Sequence, residues 1–245
     1  MKKIIIIPAR LSSTRLENKV LMDLNGKTLI QRVFENAKKS KVSDVFIATD
    51  SLKIKEICKS FTKNIIITSI NHKTGTDRIA EASKNIDSDI VLNIQSDEPF
   101  INVETINKMI DLFEDPNVYM TSSMYKLSNK KELDDPNQVK VAVDSDNYAI
   151  LFTRFPDTFN LSKMTKKQKI NQYYVHQGIY GFKKEFLEKY STLNQSYLER
   201  FEKLEQLRVL ENGYKIKMIE SKYKSIGIDT LDDYNEAVKF LNLKL

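Results

Sequence analysis

Cations and hydroxyl groups cluster in one loop near the N-terminus. The loop from residue 8 to residue 19 has the sequence PARLSSTRLENK and carries Arg10, Ser13, Arg15 and Lys19. Arginine can bind phosphate oxygens with two hydrogen bonds, lysine acts as a point charge, and loop N–H groups add donors. The loop lacks the glycines of a Walker or dinucleotide-binding loop. It therefore indicates either a triphosphate site of another kind or a solvated basic turn.

Two further segments place carboxylates directly after apolar runs. Asp97 and Glu98 follow the run at 90–94, and Asp229 follows Ile226-Gly227-Ile228. Carboxylate oxygens are ligands that Mg²⁺ prefers, and parallel strands bring such residues to one edge of a sheet. The alternatives are a turn or helix N-cap for Asp97 and a cap of the following helix for Asp229.

The first hundred residues alternate between short apolar strands and amphipathic helices. The predicted strands lie at 3–8, 45–48, 65–67 and 90–94, and apolar residues recur at helical spacing between them, at 30–37, 54–61 and 79–86. Strands and helices alternating at this length predict right-handed βαβ units with a mainly parallel sheet. Ligands of such sheets bind beyond the carboxyl ends of the strands, where all three motifs lie.

The pattern changes after residue 99. Strands are predicted at 118–125, 139–143, 148–153, 173–182 and 216–219, and helices at 105–113, 184–190, 201–211 and 231–241. Residues 161–172 are polar and predict a surface loop or a short helix. No repeat or linker divides the chain, so the sequence predicts a single domain over 1–245.

Composition excludes several classes of protein. The 245 residues are 41% hydrophobic and 29% charged, which is typical of a globular domain. The apolar run at 4–7 is too short for a signal peptide, and no stretch is long enough to span a membrane, so we expect a cytoplasmic protein. A single cysteine, Cys58, excludes an internal disulfide framework. The net charge of +6 leaves a basic nucleic-acid-binding protein as an alternative, although no nucleic-acid-binding signature accompanies it.

Six motifs in this order resemble the 3-deoxy-manno-octulosonate (Kdo) cytidylyltransferases, or CMP-Kdo synthetases. Together they span nearly the whole chain. They are the loop at 8–19, Gly75-Thr76-Asp77-Arg78, Gln95-Ser96-Asp97-Glu98-Pro99, His176-Gln177-Gly178-Ile179-Tyr180-Gly181, Leu204-Glu205-Gln206-Leu207-Arg208 and Gly227-Ile228-Asp229-Thr230.

The resemblance implies a Rossmann-like nucleotidyltransferase fold, with a mainly parallel mixed sheet flanked by helices, and a homodimer. It implies transfer of CMP from CTP to an acidic 2-keto sugar, with no nucleic acid or membrane as partner and a sugar-binding and dimerisation subregion at about 120–212. Lys19, Asp97 and Asp229 would be catalytic, with both aspartates holding Mg²⁺. The remaining implied roles are CTP binding by Arg10, Ser13, Arg15, Lys19, Arg78 and Gln95, and sugar binding by Arg154, His176, Tyr180, Glu205 and Gln206.

The chain departs from the family pattern at three places. Glu17 and Asn18 replace proline and glycine, Ser96 replaces glycine, and the segment after Arg154 is shortened. That segment is expected beside the sugar, so a related acidic sugar, such as 8-amino-Kdo or a nonulosonic acid, is the nearest alternative substrate. A sugar-1-phosphate nucleotidylyltransferase fits less well, because those enzymes open with a glycine-rich loop.

Overall fold

The computed structural model describes residues 1–11, 16–42, 44–156 and 172–243. The chain forms two compact units, Met1–Asn107 with Ser225–Leu245, and Lys108–Lys224. Within the described residues, no helix combines the length and the apolar character that crossing a membrane requires.

The residues described in the first unit include four parallel strands. They are β1 (Lys3–Ala9), β2 (Asp44–Thr49), β3 (Ile65–Ile67) and β4 (Ile90–Ile94), in the order β3-β2-β1-β4. Ile5 at the centre of β1 pairs with Val45 on one side and Leu92 on the other, and all three side chains are buried. A β-branched run is the expected sequence for a strand covered on both faces.

Helices connect these strands. They are α1 (Leu29–Ala37), α2 (Leu52–Cys58), α3 (Gly75–Ser83) and α4 (Val103–Asp111), whose last residues belong to the second unit, and the chain ends with α9 (Leu231–Asn242). Four of them begin after a hydroxyl residue that accepts a hydrogen bond from the first turn, namely Thr28, Ser51, Thr74 and Thr230. Such caps satisfy helical N–H groups that have no partner within the helix.

The second unit is a mixed α/β structure. Its strands are β5 (Met120–Lys126), β6 (Lys140–Val143), β7 (Ala149–Thr153), β8 (Tyr174–Lys183) and β9 (Lys217–Ser221). Strand β5 pairs antiparallel with β8 and parallel with β9, whereas β6 pairs antiparallel with β7 and β8. The α-helices in the described part of this unit are α5 (Lys130–Asp134), α6 (Lys184–Thr192), α7 (Tyr197–Glu202) and α8 (Leu207–Glu211).

The predicted α/β class, with a mainly parallel mixed sheet and flanking helices, is confirmed. The single helix predicted over 201–211 is wrong, because Lys203 adopts a left-handed conformation with φ 56° and ends α7 before α8 begins. Helix α5 was not predicted. The loop expected at 161–172 lies outside the described residues except at its last position, and the single-domain boundary stays a prediction.

Candidate active site

One lysine joins two aspartates in the first unit. The Nζ of Lys19 lies 2.8 Å from Oδ2 of Asp97 and 2.8 Å from Oδ1 of Asp229. These two carboxylate oxygens are therefore at most twice 2.8 Å, or 5.6 Å, apart. The structure thus brings together three residues that are separated by up to 210 positions in sequence.

The backbone fixes the two aspartates against each other. Asp97 follows β4, and its carbonyl accepts a hydrogen bond of 2.9 Å from the N–H of Ile228, next to Asp229. The Ser225 hydroxyl donates to the carboxylate of Glu98. Gly227 permits this approach, because a Cβ there would lie 3.1 Å from a Glu98 oxygen. The segments carrying Asp97 and Asp229 are therefore held together without Lys19.

Lys19 begins a short 3₁₀ helix, Lys19–Leu21, that follows Asn18. Asn18 has φ 52°, in the left-handed region where asparagine is tolerated better than most residues. Asparagine in place of the family's glycine is therefore compatible with the local backbone.

The alternative role of Asp229 as a helix cap does not agree with the hydrogen bonds. Thr230 is the N-cap of α9, and its hydroxyl accepts from the N–H of Asp233 while the Asp233 carboxylate accepts from the N–H of Thr230. The carboxylate of Asp229 instead accepts from Lys19.

The charges of this cluster influence one another. Burial alone would lower the pKa of Lys19, but the carboxylates of Asp97 and Asp229 outweigh that effect and the pKa is raised. Burial, reinforced by the negative charge of Asp97, raises the pKa of Glu98 to about 7. The side chain of Lys19 is 10% exposed, whereas those of Asp97 and Asp229 are 31% and 47% exposed. The carboxylates are thus more accessible than the ammonium group that joins them.

The cluster forms part of a cleft of about 310 Å³ in the first unit. Arg10, Arg78 and Gln95 also line it, together with the N-terminal end of α3 at Thr74 and Gly75. A Cβ on Gly75 would lie 3.2 Å from both Pro8 and Gln95, so glycine allows α3 to approach β1 closely. A helix N-terminus with flanking cations favours an anion such as a phosphate group.

Several residues in or beside this cleft were not predicted from the sequence. Asp50 follows β2 and binds Arg78 with an N–O distance of 2.7 Å, while Thr68 accepts a second hydrogen bond of 2.6 Å from the same guanidinium. His72 lines the cleft and is hydrogen-bonded to Glu81. Asp50 lies at the carboxyl end of a parallel strand, so the rule that located Asp97 would have found it as well.

The structure describes only part of the loop at 8–19. Arg10 and Lys19 line the cleft, whereas Ser13 and Arg15 lie outside the described residues. The predicted roles of Ser13 and Arg15 in CTP binding stay predictions.

The residues predicted to bind the sugar lie in the second unit. The Tyr180 hydroxyl donates to Oε1 of Gln206 at 3.2 Å, and Nε2 of His176 lies 2.9 Å from the Ser122 hydroxyl. The ring centroids of His176 and Tyr180 are 5.5 Å apart. Burial lowers the pKa of His176 to about 3, so its ring is neutral near pH 7.

Arg154 and Glu205 act electrostatically on the same tyrosine. Burial raises the pKa of Tyr180, the negative charge of Glu205 raises it further, and the positive charge of Arg154 partly offsets both. Contacts thus join His176, Tyr180 and Gln206, and the charges of Arg154 and Glu205 act on the tyrosine of this group. Among the residues that the structure describes, none accepts a hydrogen bond from the buried Nε2 of Gln206.

Arg154 is held by groups that the sequence did not indicate. Its Nε donates to the carbonyl of Glu202 at 3.1 Å, and another guanidinium nitrogen donates to the carbonyl of Pro136 at 2.9 Å. The carboxylate of Glu202 accepts from the Thr153 hydroxyl and from the N–H of Arg154. The buried Lys140 donates to the carbonyls of Asp135 and Arg154.

Comparison with known proteins identifies the family. Residues 4–218 match the sequence profile of the cytidylyltransferases. The chain belongs to the cytidylyltransferase family.

This cytidylyltransferase has close relatives over its full length. It is 44% identical over 245 residues to the 3-deoxy-manno-octulosonate cytidylyltransferase of Francisella tularensis subsp. tularensis, covering 98% of both chains. It is 42% identical to the enzyme of the same name from Fusobacterium nucleatum subsp. nucleatum, covering all of both. The resemblance indicated by the six motifs is confirmed.

The fold agrees with a solved relative as well. CMP:2-keto-3-deoxy-manno-octonic acid synthetase, solved in complex with CTP, matches the whole of the cytidylyltransferase with a TM-score of 0.91 at 31% identity. The Rossmann-like nucleotidyltransferase fold is thereby confirmed, and the chain is a nucleotidyltransferase enzyme.

Proposed function

We propose that this cytidylyltransferase transfers CMP from CTP to the anomeric hydroxyl of Kdo, forming CMP-Kdo and pyrophosphate in a Mg²⁺-dependent reaction. The observation that carries the proposal is the cluster of Lys19, Asp97 and Asp229 in a cleft lined by further cations. The names of the full-length relatives support Kdo as the acceptor.

The cleft of the first unit suits the nucleotide. Arg10, Lys19 and the N-terminus of α3 would bind and orient the triphosphate, and Arg78 and Gln95 would help to fix the nucleotide. The sugar hydroxyl would lose its proton to solvent and attack the α-phosphorus in line, the bond from that phosphorus to the oxygen shared with the β-phosphate would break, and pyrophosphate would leave. Such a transfer needs positioning and charge neutralisation and no protein nucleophile.

The residues for the sugar differ in character. Arg154 would pair with the sugar carboxylate, because a guanidinium binds a carboxylate with two parallel hydrogen bonds. His176 is neutral, and Tyr180 and Gln206 are buried, so these groups would recognise hydroxyl groups by hydrogen bonds. Glu205 would accept a hydrogen bond from one of them.

The residues present fit Mg²⁺. Two ligand oxygens of one ion lie at most about 4.2 Å apart when each Mg–O distance is near 2.1 Å, so oxygens at most 5.6 Å apart need only a small closure. In the described part of the chain, no group of three or more acidic, histidine or cysteine side chains is arranged to hold a metal. Mg²⁺ commonly uses one or two carboxylates together with substrate phosphates. Held by Asp97 and Asp229, it would neutralise charge on the phosphates.

Three further proposals concern the setting of the reaction. The enzyme would work in the cytoplasm, and its product would serve lipopolysaccharide or capsule synthesis. It would act as a homodimer, since the described part of the second unit exposes six large apolar or aromatic side chains that a partner subunit would cover, namely Tyr119, Ile150, Phe155, Tyr197, Phe201 and Tyr223.

Pyrophosphate release with a panel of acceptors tests the function. With CTP and Mg²⁺ we expect the highest kcat/KM for Kdo, compared with 8-amino-Kdo and a nonulosonic acid. A higher kcat/KM for one of those two would reassign the acceptor. Lack of release with every acceptor, together with salt-dependent binding of nucleic acid, would contradict the proposal and favour the basic nucleic-acid-binding alternative.

A further inference from the structure

We infer that Lys19 is an internal counterion that keeps the divalent-cation site closed until the triphosphate of the nucleotide draws its ammonium group away. The inference rests on the proposed role of Asp97 and Asp229 in holding Mg²⁺. It assigns Lys19 a second task, in addition to phosphate binding.

The geometry places a cation where the metal would be held. The Lys19 ammonium lies 2.8 Å from one oxygen of each aspartate, so it bridges the same two carboxylates that would coordinate the ion. A divalent ion held by those oxygens at about 2.1 Å would lie within about 5 Å of an ammonium that stayed in place. Like charges at that separation repel strongly in a partly buried site. Coordination of a divalent ion by both aspartates is therefore unfavourable while the ammonium of Lys19 stays between them.

The carboxylates can change partner without changing place. The hydrogen bond from Ile228 to Asp97 and that from Ser225 to Glu98 hold the two segments independently of Lys19. Both aspartates are exposed more than the lysine, and all three side chains line the cleft. An ion entering from the cleft thus reaches the carboxylates directly, and the lysine side chain has the cleft open to it.

The phosphate oxygens of a bound nucleotide would attract the ammonium group of Lys19 away from the aspartates. Among the described residues, the arginines and lysines that line the cleft are Arg10, Lys19 and Arg78. Arg78 is already bound to the carboxylate of Asp50 and to Thr68. A nucleotide in the cleft would offer phosphate oxygens to Lys19, and the departing ammonium would expose the full negative charge of both aspartates to Mg²⁺.

Two consequences follow for binding. The nucleotide-free enzyme should bind a divalent cation weakly, because one positive charge already compensates the aspartate pair. Nucleotide and ion should strengthen each other's binding by the same factor, as linkage requires. Without Lys19, no lysine charge compensates the aspartate pair. Removal of Lys19 should therefore tighten ion binding to the nucleotide-free protein, even though it weakens CTP binding.

Titration of the full-length, nucleotide-free protein with Mn²⁺, followed by electron paramagnetic resonance, tests the inference. We expect Lys19→Met to bind Mn²⁺ more tightly than the wild type by about tenfold or more, because one unit of opposing charge is removed. The gain should disappear in the Lys19→Met, Asp97→Asn double variant. Equal or weaker Mn²⁺ binding by Lys19→Met, with binding still dependent on Asp97, would overturn the counterion role and leave the proposed function intact.

Thermal unfolding provides a second readout in case one variant folds poorly. Lys19→Gln keeps a polar side chain of similar size. Without metal it should melt below the wild type, because two carboxylates then face each other, and saturating Mg²⁺ should raise its melting temperature more than that of the wild type. A Mg²⁺ response no larger than that of the wild type would also overturn the inference. If Asp97→Asn left ion affinity unchanged even with CTP present, the metal assignment itself would fail.

Discussion

The proposed sites in the two units of this cytidylyltransferase differ in how they hold their charged and titratable side chains. In the first unit, the proposed nucleotide site is a cleft with partly exposed carboxylates, and the lysine between them has a raised pKa because their charges outweigh its burial. In the second unit, the proposed sugar site combines the buried Tyr180 and Gln206 with three partly buried residues, and desolvation keeps its histidine neutral by lowering the pKa of the ring. Its arginine is fastened to backbone carbonyls.

This difference indicates which property each site depends on. A cleft that neutralises a triphosphate depends on the number and sign of its charges, whereas a buried polar cluster depends on complete hydrogen bonding and close fit. Substitutions that change only charge should therefore be most damaging in the first unit. Substitutions that change hydrogen bonding should act in the second unit on sugar affinity and on stability.

The largest effect is expected from Asp229→Asn. Removing one carboxylate should lower kcat by roughly a thousandfold, since several kcal/mol of charge stabilisation are lost at about 1.4 kcal/mol per decade. The matched control is Asp233→Asn, which alters the capping box of α9. The control should keep kcat within a few fold but lower stability by about 1 kcal/mol. Near-normal kcat in Asp229→Asn, measured by pyrophosphate release, would return Asp229 to a structural role.

A smaller effect should follow from Arg154→Ala in the second unit. We expect the KM for the sugar to rise by about ten- to a hundredfold, because a charge-assisted pair with the sugar carboxylate is lost, while the KM for CTP changes little. Arg154→Lys should recover only part of the loss, since lysine lacks the planar fork. Steady-state kinetics with each substrate varied measures both constants. A rise in the KM for CTP alone would show that Arg154 acts on CTP binding rather than on sugar binding.

The third prediction concerns stability rather than catalysis, and it follows from the effect of pH on His176. Its pKa is about 3 in the folded protein and near 6.5 when unfolded, so the unfolded chain binds one more proton between these values. This contribution to stability is complete above pH 6.5 and is lost as the pH falls toward 3. In His176→Gln, the dependence of the free energy of unfolding on pH should flatten by about one proton in this window. Urea unfolding from about pH 4 to about pH 7 measures the slope.

Tyr180→Phe is the control for that experiment. It removes the hydrogen bond to Gln206 but no group that titrates in the acidic window of His176. Its slope should equal that of the wild type. A slope unchanged in His176→Gln as well would show that the pKa of His176 is not lowered as described.

The charged site was largely predictable from the sequence. Strand periodicity located β4, and a carboxylate directly after a parallel strand indicated Asp97. The same rule does not account for Asp229, because residues 226–228 form no strand and are held beside Asp97 by the hydrogen bond from the N–H of Ile228 to the carbonyl of Asp97. The bridging position of Lys19 was not predictable, because residue types alone do not show that the loop, in which Asn18 adopts a left-handed conformation, brings this lysine to both carboxylates.

The proposed sugar site was predictable only through family resemblance. Histidine and tyrosine on a strand are more often core residues than ligands, and periodicity does not distinguish the two. The supports of Arg154, namely Glu202 and Lys140, come from distant segments that only tertiary packing brings together. The break between α7 and α8 was missed because Lys203 has no residue-type signal for a left-handed conformation.

The central claim, that Asp97 and Asp229 act as one unit, is tested most directly by kcat of the Asp97→Asn, Asp229→Asn double variant beside the two single variants. The kcat of each single variant should fall roughly a thousandfold. The kcat of the double variant should lie within a few fold of either, because both carboxylates would hold the same metal ion. Losses that multiply to about a millionfold would contradict the claim and show two independent contributions.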